Sequence, residues 1–156
     1  VIAPTLRLMS MYSLSAEALL LGTAMAESGL VHLTQMGGGP ARGVYQMEIP
    51  TAADIARRYL VRKRDLARLL KTVVGYDART LSDLAIEARL IVDLRFATVM
   101  ARLKYAMDPE PLPPVGDLEG LAKVWKRVYN TPLGKGTAAS FILKYRNTMQ
   151  AENESF

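Results

Sequence analysis

Helical periodicity runs through nearly the whole of this 156-residue chain and is interrupted by one long segment rich in glycine and proline. That segment, residues 31–50, holds four glycines and two prolines, which predicts a loop with a short hairpin around residues 43–49. Because the pattern is helical almost everywhere else, we expect a mainly α fold of about five to six helices, with this loop after the first helix. A chain of this length fits one domain, residues 1–156, with a frayed tail at 150–156.

Capping residues and helix breakers set the expected helix boundaries. The first helix is expected over about 16–28, capped by Ser13 or Ser15. The second helix opens at Thr51, directly after a proline, with Asp54 at the spacing of a capping partner. Four more helices are expected, at about 62–74, 81–107, 117–129 and 137–149.

Composition narrows the chemistry that the chain can perform. It has no cysteine, which excludes a disulfide or a cysteine-ligated metal site, and its single histidine, His32, argues against a histidine metal site or a Ser-His-Asp triad. We therefore expect neither a metal nor a cofactor. No apolar run reaches the ~18 residues of a membrane span, so we expect no integral membrane segment. Residues 1–30 also lack the basic start of a signal peptide.

Positive charge is concentrated in one stretch of the chain. The net charge is +5, and residues 57–71 hold seven Lys and Arg against one Asp, a local +6. A concentrated basic face favours a polyanionic partner: nucleic acid, an anionic membrane surface or an acidic cell-wall polymer. The alternative is an ordinary solvated helix face.

An apolar run over residues 18–26 ends in a carboxylate, Glu27, and a serine and a glycine then stop the helix. At helical spacing Glu27 shares a face with Leu20 and Thr23, the side that the first helix turns toward the core. Burial of an ionised carboxylate is costly, so the pKa of Glu27 should rise, and a carboxyl group that is protonated near neutral pH can act as a general acid. The alternative is that Glu27 reaches solvent from the last turn or pairs with an arginine.

Three short motifs follow one another around this carboxylate. The chain has Glu-Ser at 27–28, Gly-Val-Tyr-Gln at 43–46 and Pro-Thr-Ala at 50–52. Together they resemble the catalytic segment of the lytic transglycosylases and goose-type lysozymes, in which a helix ends in Glu-Ser and is followed by Gly-Leu-Met-Gln and then by Pro-x-Thr-Ala. A looser match lies at 129–130, where Tyr-Asn before a glycine turn resembles the family's Ala-Tyr-Asn-Ala-Gly motif.

The resemblance implies a lysozyme-like fold and cleavage of the β-1,4 glycosidic bond between N-acetylmuramic acid and N-acetylglucosamine in peptidoglycan. Glu27 would be the general acid, Gln46 would hold the N-acetyl group of the sugar, and Tyr129 would orient Glu27. Ser28 would steady Glu27 or contact the sugar. The resemblance adds three further substrate-binding candidates, Tyr45, Asn130 and Tyr145, the last in place of a tyrosine that the family often has in its last helix.

The number of carboxylates at the site decides the expected product. One clearly placed carboxylate favours the lytic transglycosylase route, in which the N-acetyl group or hydroxyl of muramic acid assists and a 1,6-anhydro product forms without water. If Glu48 or Asp54 held a water instead, the product would be hydrolysed.

Peptidoglycan glycan strands are the partner that the resemblance implies, and the basic stretch 57–71 would favour the anionic wall. A small chain without a signal peptide fits a phage endolysin, or a wall-piercing virion domain that also contacts other virion proteins, and a bacterial origin stays open. Two non-enzymatic alternatives also stay open: a degenerate lysozyme-like virion protein, and a helical module that binds nucleic acid through 57–71. The second is disfavoured because Tyr59 is the one aromatic residue interleaved in that stretch.

Overall fold

Helices form most of the protein in the computed structural model, which describes residues 1–35 and 37–154. The α-helices are α1 (Ile2–Leu8), α2 (Leu14–Glu27), α3 (Ile49–Asp54), α4 (Leu60–Arg62), α5 (Arg64–Val74), α6 (Asp83–Val92), α7 (Leu94–Ala106), α8 (Leu118–Val124) and α9 (Ala138–Glu154). A π-helical segment, Ile55–Tyr59, joins α3 to α4, a second one, Trp125–Asn130, extends α8, and a 3₁₀ turn spans Ala78–Thr80. The predicted mainly α single domain is confirmed, and the described part of the chain has more helices than predicted.

A two-stranded hairpin follows α2 within the glycine-rich segment. Strand β1 (Ala41–Arg42) runs antiparallel to β2 (Met47–Glu48). The paired residues are Ala41 with Glu48 and Arg42 with Met47. Gly43 begins the turn with φ +75°, and a Cβ at this position would collide with the backbone carbonyl of Leu90 in α6. The glycine thus allows the hairpin to lie directly against α6.

The packing of α2 against α9 fixes the position of the C-terminal end of α2 in the fold. Ser13 caps the first turn by accepting a hydrogen bond from the backbone N–H of Ala16 at 3.0 Å. The two helices approach closely because Gly22 has no side chain, and a Cβ there would collide with the fully buried ring of Phe141 in α9. Since Glu27 is the last residue of α2, this contact also fixes the position of its carboxylate.

α7 runs through the centre of the fold and contacts α1, α2, α5, α6 and the π-helical segment after α8. Eight of its thirteen residues are buried, so apolar side chains cover more than one of its faces. Phe96 is fully buried, and its ring lies 5.9 Å from that of Tyr76. α7 is therefore the central core helix against which α2 and the π-helical segment after α8 pack.

The helix expected over 81–107 is two helices in the structure. Asp93 leaves the helical conformation at φ −109° and ψ 93°, and its carboxylate accepts hydrogen bonds from the backbone N–H groups of Arg95 and Phe96. This side-chain cap starts α7 anew. The periodicity of apolar residues continues across the break, so the pattern alone does not reveal it.

Three other boundaries differ from the prediction. The short helix α1 was not predicted. The second predicted helix begins at Ile49 as α3, so Thr51 and Asp54 lie inside it rather than at its cap, because a proline is well accommodated in the first turn of a helix. The last helix continues to Glu154, and residues 155–156 of the tail that was expected to fray lie outside the described residues.

Replacing Gly22 with alanine is expected to destabilise the protein, although alanine in a helix interior ordinarily gains about 0.5–1 kcal/mol over glycine. The new methyl group collides with Phe141, and overpacking of this kind costs about 1–3 kcal/mol. Urea unfolding measures the change in the free energy of unfolding. The matched control is Gly116→Ala, where no atom lies within 4 Å of the added Cβ. A Gly22→Ala protein as stable as the parent would contradict this description of the contact between α2 and α9.

Candidate active site

A cleft of about 820 Å³ opens where the end of α2, the hairpin, α7, the π-helical segment after α8 and the start of α9 meet. Among the described residues, the charged side chains that line it are those of Glu27, Glu48, Lys104, Lys135 and Lys144. A second cavity of about 650 Å³ shares Thr51 and Lys104 with this cleft as lining residues. The cleft is thus lined by three lysines and two carboxylates, and the adjoining cavity lies along α3.

One hydrogen bond from across the cleft holds Glu27. The indole N–H of Trp125 donates to Oε1 of Glu27 at 3.0 Å. Trp125 is only 2% exposed, and its ring packs against that of Phe141 in α9 with the centroids 5.3 Å apart. The indole is therefore a rigid donor. The sequence had left open an ion pair between Glu27 and an arginine, and within the described residues Glu27 forms none.

The surroundings of Glu27 act on its proton in opposite directions. Burial raises the pKa of the carboxyl group, because the charged form loses its hydration. The Trp125 hydrogen bond, the positive charges of Lys104 and Lys144, and the side-chain amide of Asn130 favour the ionised form and lower the pKa. Burial outweighs them, so the pKa stays above that of a solvated glutamate and the group keeps its proton to a higher pH.

Lys104 is a charged residue of the site that the sequence analysis did not find. It projects from α7 into the cleft, where its ammonium donates to the backbone carbonyl of Tyr129 at 3.0 Å and lies 4.1 Å from the centre of the Tyr129 ring. Burial lowers the pKa of Lys104, and the nearby carboxylates of Glu27 and Glu48 oppose that shift. A single lysine among the apolar residues of a predicted core helix was the available signal for it.

Two other lysines hold the backbone at the rim of the cleft. Lys126 donates to Oδ1 of Asn130 at 2.8 Å and to the carbonyl of Gly134 at 2.7 Å, which ties the π-helical segment to the loop after it. Lys144 in α9 donates to the carbonyl of Ala26 at 2.7 Å. Because that carbonyl belongs to the last turn of α2, Lys144 brings its charge next to Glu27.

Ser28 has a structural role rather than the predicted contact with a sugar. It is 3% exposed, and its hydroxyl donates to the carbonyls of Ala24 and Val44 and accepts from the N–H of Leu30. The bond to Val44, at 2.7 Å, ties the end of α2 to the hairpin turn. Ser28 therefore steadies the segment that carries Glu27, and burial keeps its hydroxyl from a ligand in the cleft.

Tyr45 and Tyr129 are buried, and the structure corrects the roles predicted for both. The hydroxyl of Tyr45 lies 3.1 Å from that of Thr98 in α7, and burial raises the pKa of Tyr45 to about 12. The hydroxyl of Tyr129 donates to the backbone carbonyl of Tyr45 at 2.9 Å and not to Glu27. The Tyr129 ring instead stacks on that of Tyr105, with centroids 5.4 Å apart. Trp125, one turn earlier, holds the carboxylate that Tyr129 was expected to orient.

Gln46 lines the cleft from the hairpin turn, where it has φ +46°. Its side-chain N–H₂ donates to the carbonyl of Gly43 at 2.8 Å and to that of His32 at 3.3 Å. Both amide hydrogens are thus used within the loop, and in the described residues Oε1 of Gln46 has no partner. The side chain is therefore held with an acceptor available to a ligand.

The remaining candidates fall in different places. Asn130 lines the cleft beside Glu27, whereas Tyr145 lies along α9 near Glu17 and does not line the cleft, which corrects its predicted role. Glu48 is exposed at the end of β2 and lines the cleft. Asp54 lines the adjoining cavity and pairs with an arginine of its own helical segment, so it is not placed beside Glu27.

Comparison with known protein families, curated proteins and solved structures finds no match to this chain. Within the described residues no helix is long and apolar enough to cross a bilayer. The same residues contain no group of three or more histidine, aspartate or glutamate side chains arranged to hold a metal ion.

Replacing Lys104 with methionine is expected to raise the pKa of Glu27 further. The change removes a positive charge that favours the carboxylate and keeps an unbranched side chain of similar length. The pKa is measured from the ¹³C chemical shift of the Glu27 carboxyl carbon as a function of pH. Lys135→Met is the matched control, because Lys135 lines the cleft without acting on the pKa of Glu27. Equal Glu27 pKa values in the two variants would show that Lys104 has no such effect.

Replacing Tyr129 with phenylalanine is expected to lower the free energy of unfolding by about 1–3 kcal/mol, because the buried carbonyl of Tyr45 loses its donor. The pKa of Glu27 should change little, since the hydroxyl does not bond to the carboxylate. Thermal unfolding and the carboxyl titration measure the two quantities. Tyr145→Phe serves as the control, because its hydroxyl forms no hydrogen bond in the described structure. A large shift in the Glu27 pKa with unchanged stability would restore the original prediction for Tyr129.

Proposed function

We propose that this chain cleaves the β-1,4 glycosidic bond between N-acetylmuramic acid and N-acetylglucosamine in bacterial peptidoglycan, with Glu27 as the general acid. The observation that carries the proposal is a partly buried carboxyl group of raised pKa, held by an indole N–H in the wall of a cleft of about 820 Å³. A general acid must keep its proton near the working pH and must reach its ligand. Burial raises the pKa of Glu27 and its carboxyl lines the cleft, which are the direction and the position that this role needs.

The groups around Glu27 suit a carboxyl that must also give its proton away. Glycoside cleavage begins as the acid protonates the leaving oxygen and positive charge develops on the sugar ring. The carboxylate that remains is stabilised by the Trp125 N–H, by Lys104 and Lys144, and by the Asn130 amide, all of which favour the ionised form. Burial raises the pKa and so favours the protonated acid before the reaction, and these fixed charges and dipoles stabilise the carboxylate after it.

Gln46 supports an N-acetylated sugar as the ligand. Its two amide hydrogens bond to backbone carbonyls of the loop, which leaves Oε1 as a fixed acceptor facing the cleft. The N–H of an acetamido group is a matching donor. This polarity refines the expectation from the sequence, because Gln46 would receive a hydrogen bond from the sugar.

The lytic transglycosylase route is the one we propose. Hydrolysis with inversion needs a second carboxylate that holds a water on the other side of the bond. Asp54 lines the adjoining cavity and not the cleft, so Glu48 is the remaining candidate for this second carboxylate. Glu48 is exposed, and within the described residues no hydrogen bond or ion pair holds its carboxylate in place beside Glu27. Without a held water, the N-acetyl group or hydroxyl of muramic acid completes the reaction, and a 1,6-anhydro end forms.

The test is mass spectrometry of the fragments released from purified peptidoglycan. Glu27→Gln is expected to fold normally and to lose nearly all activity, by at least ~100-fold, because the amide keeps the shape but cannot donate the proton. Glu48→Gln is the matched control and should retain activity and yield anhydro ends. Reducing ends that disappear in Glu48→Gln would instead assign hydrolysis with Glu48 as the base.

Activity should also depend on pH in a defined direction. The acid must be protonated, so the rate falls as pH rises through the raised pKa of Glu27, and Lys104→Met should move this fall to higher pH. A Glu27→Gln protein that releases fragments as fast as the parent would end the proposal. Absence of products from the parent protein, in spite of a folded cleft, would favour the degenerate structural alternative.

A further inference from the structure

The basic stretch identified in the sequence forms a protruding corner between two helices. α4 ends at Arg62 and α5 begins at Arg64, and between them Lys63 leaves the helical conformation at φ −114° and ψ 64°. All five residues from 61 to 65 are exposed, and we call this segment the basic corner. Buried Leu60 on one side and buried Ala67 on the other anchor it to the core, so the corner is presented on a fixed support.

The cations of the basic corner differ from their neighbours because they are uncompensated. Arg57 pairs with Asp83 at 2.7 Å, and Arg58 and Arg68 each contact a carboxylate at 3.3 Å. In the part of the chain that the structure describes, four of the seven cationic side chains of the stretch 57–71 have neither a hydrogen bond nor an ion pair: Arg62, Lys63, Arg64 and Lys71. The first three are consecutive, so most of the unpaired positive charge of this stretch lies at the basic corner.

An exposed aliphatic side chain accompanies these cations. Val61 is 51% exposed and directly precedes the three basic residues. A shallow cavity of about 530 Å³ is lined by six consecutive residues, Val61 to Leu66, and so is formed by the corner alone. The patch therefore combines an exposed apolar side chain with three cations, and the carboxylate of Asp65 in the same segment contacts Arg68.

We propose that the basic corner docks the protein on the surface of a bilayer that contains anionic phospholipids. All five residues of the corner are exposed, so a flat partner can contact them. The ammonium and guanidinium groups of the corner meet lipid phosphates, while Val61 reaches the boundary between headgroups and acyl chains. The charges are complementary, and the proposal does not depend on the glycosidase activity, because the corner lies outside the cleft.

The other polyanions fit the corner less well. The corner itself has no aromatic side chain on which a base could stack, and the one aromatic residue of the stretch 57–71, Tyr59, precedes it. An acidic wall polymer would use the three cations but would leave Val61 in water. A lipid surface alone uses both the charges and the apolar side chain, and it is therefore the partner to which the proposal commits.

The test is co-sedimentation with vesicles of phosphatidylcholine alone or with about one-third phosphatidylglycerol. The triple variant Arg62→Gln, Lys63→Gln and Arg64→Gln should reduce partitioning onto the anionic vesicles on the order of 100-fold, because each basic residue near an anionic surface contributes about fivefold. The matched control removes the same charge elsewhere, by Arg95→Gln, Lys123→Gln and Arg146→Gln, three exposed cations outside the corner. The control should bind nearly as well as the parent.

Two further measurements separate the lipid from its competitors. Val61→Ser should weaken binding to anionic vesicles several-fold and leave its salt dependence unchanged, since it removes apolar contact without altering charge. Thermal unfolding confirms that each variant is folded. The proposal is overturned if the parent binds both vesicle types equally, if both triple variants lose binding equally, or if Val61→Ser has no effect. It is also overturned if the protein binds duplex DNA or an isolated anionic wall polymer through the corner but does not bind vesicles.

Discussion

The position of one carboxylate depends on a close contact between two helices. Gly22 lets α2 lie against Phe141 of α9, and Phe141 in turn supports the ring of Trp125. Trp125 then donates the hydrogen bond that holds Glu27 at the end of α2. Because each of these groups is buried or at the cleft wall, a shift in the helix contact would move the carboxyl and its donor apart. The geometry of the cleft thus follows from core packing.

The cleft balances two opposing effects on that carboxylate. Burial favours the protonated form of Glu27 and raises its pKa, whereas full exposure would return the pKa toward that of a solvated glutamate. The N–H of Trp125 and the positive charges of Lys104 and Lys144 offset part of the rise in pKa that burial causes, but not all of it. Lys104 is itself held by the Tyr129 carbonyl and ring, so this offset has a fixed geometry. Such a balance suits a general acid, which must hold its proton before the reaction and release it during the reaction.

Much of the local structure could be predicted from neighbouring residues. The cap at Ser13, the hairpin in the glycine-rich segment and the end of α5 at Gly75 all depend on interactions within a few positions of the chain. The break at Asp93 was missed because a side-chain cap can interrupt a helix while the apolar period continues. The long-range errors are of another kind. Tyr129 was assigned to Glu27 by analogy of motif, but its hydroxyl bonds to the carbonyl of Tyr45, far away in sequence.

The sequence by itself determined a mainly helical chain, a carboxylate at the end of an apolar helix and a concentration of positive charge, because periodicity, capping and local charge are properties of adjacent residues. Only the tertiary structure decided which donor reaches Glu27, that Lys104 enters the cleft, and that Ser28 and Tyr45 are taken up by internal hydrogen bonds. Within the described residues it also distinguished Arg57, Arg58 and Arg68, which pair with carboxylates, from the three cations of the basic corner, which do not. These outcomes depend on side chains that meet from distant parts of the chain, and their partners are chosen by packing and by the cost of leaving buried polar groups unpaired.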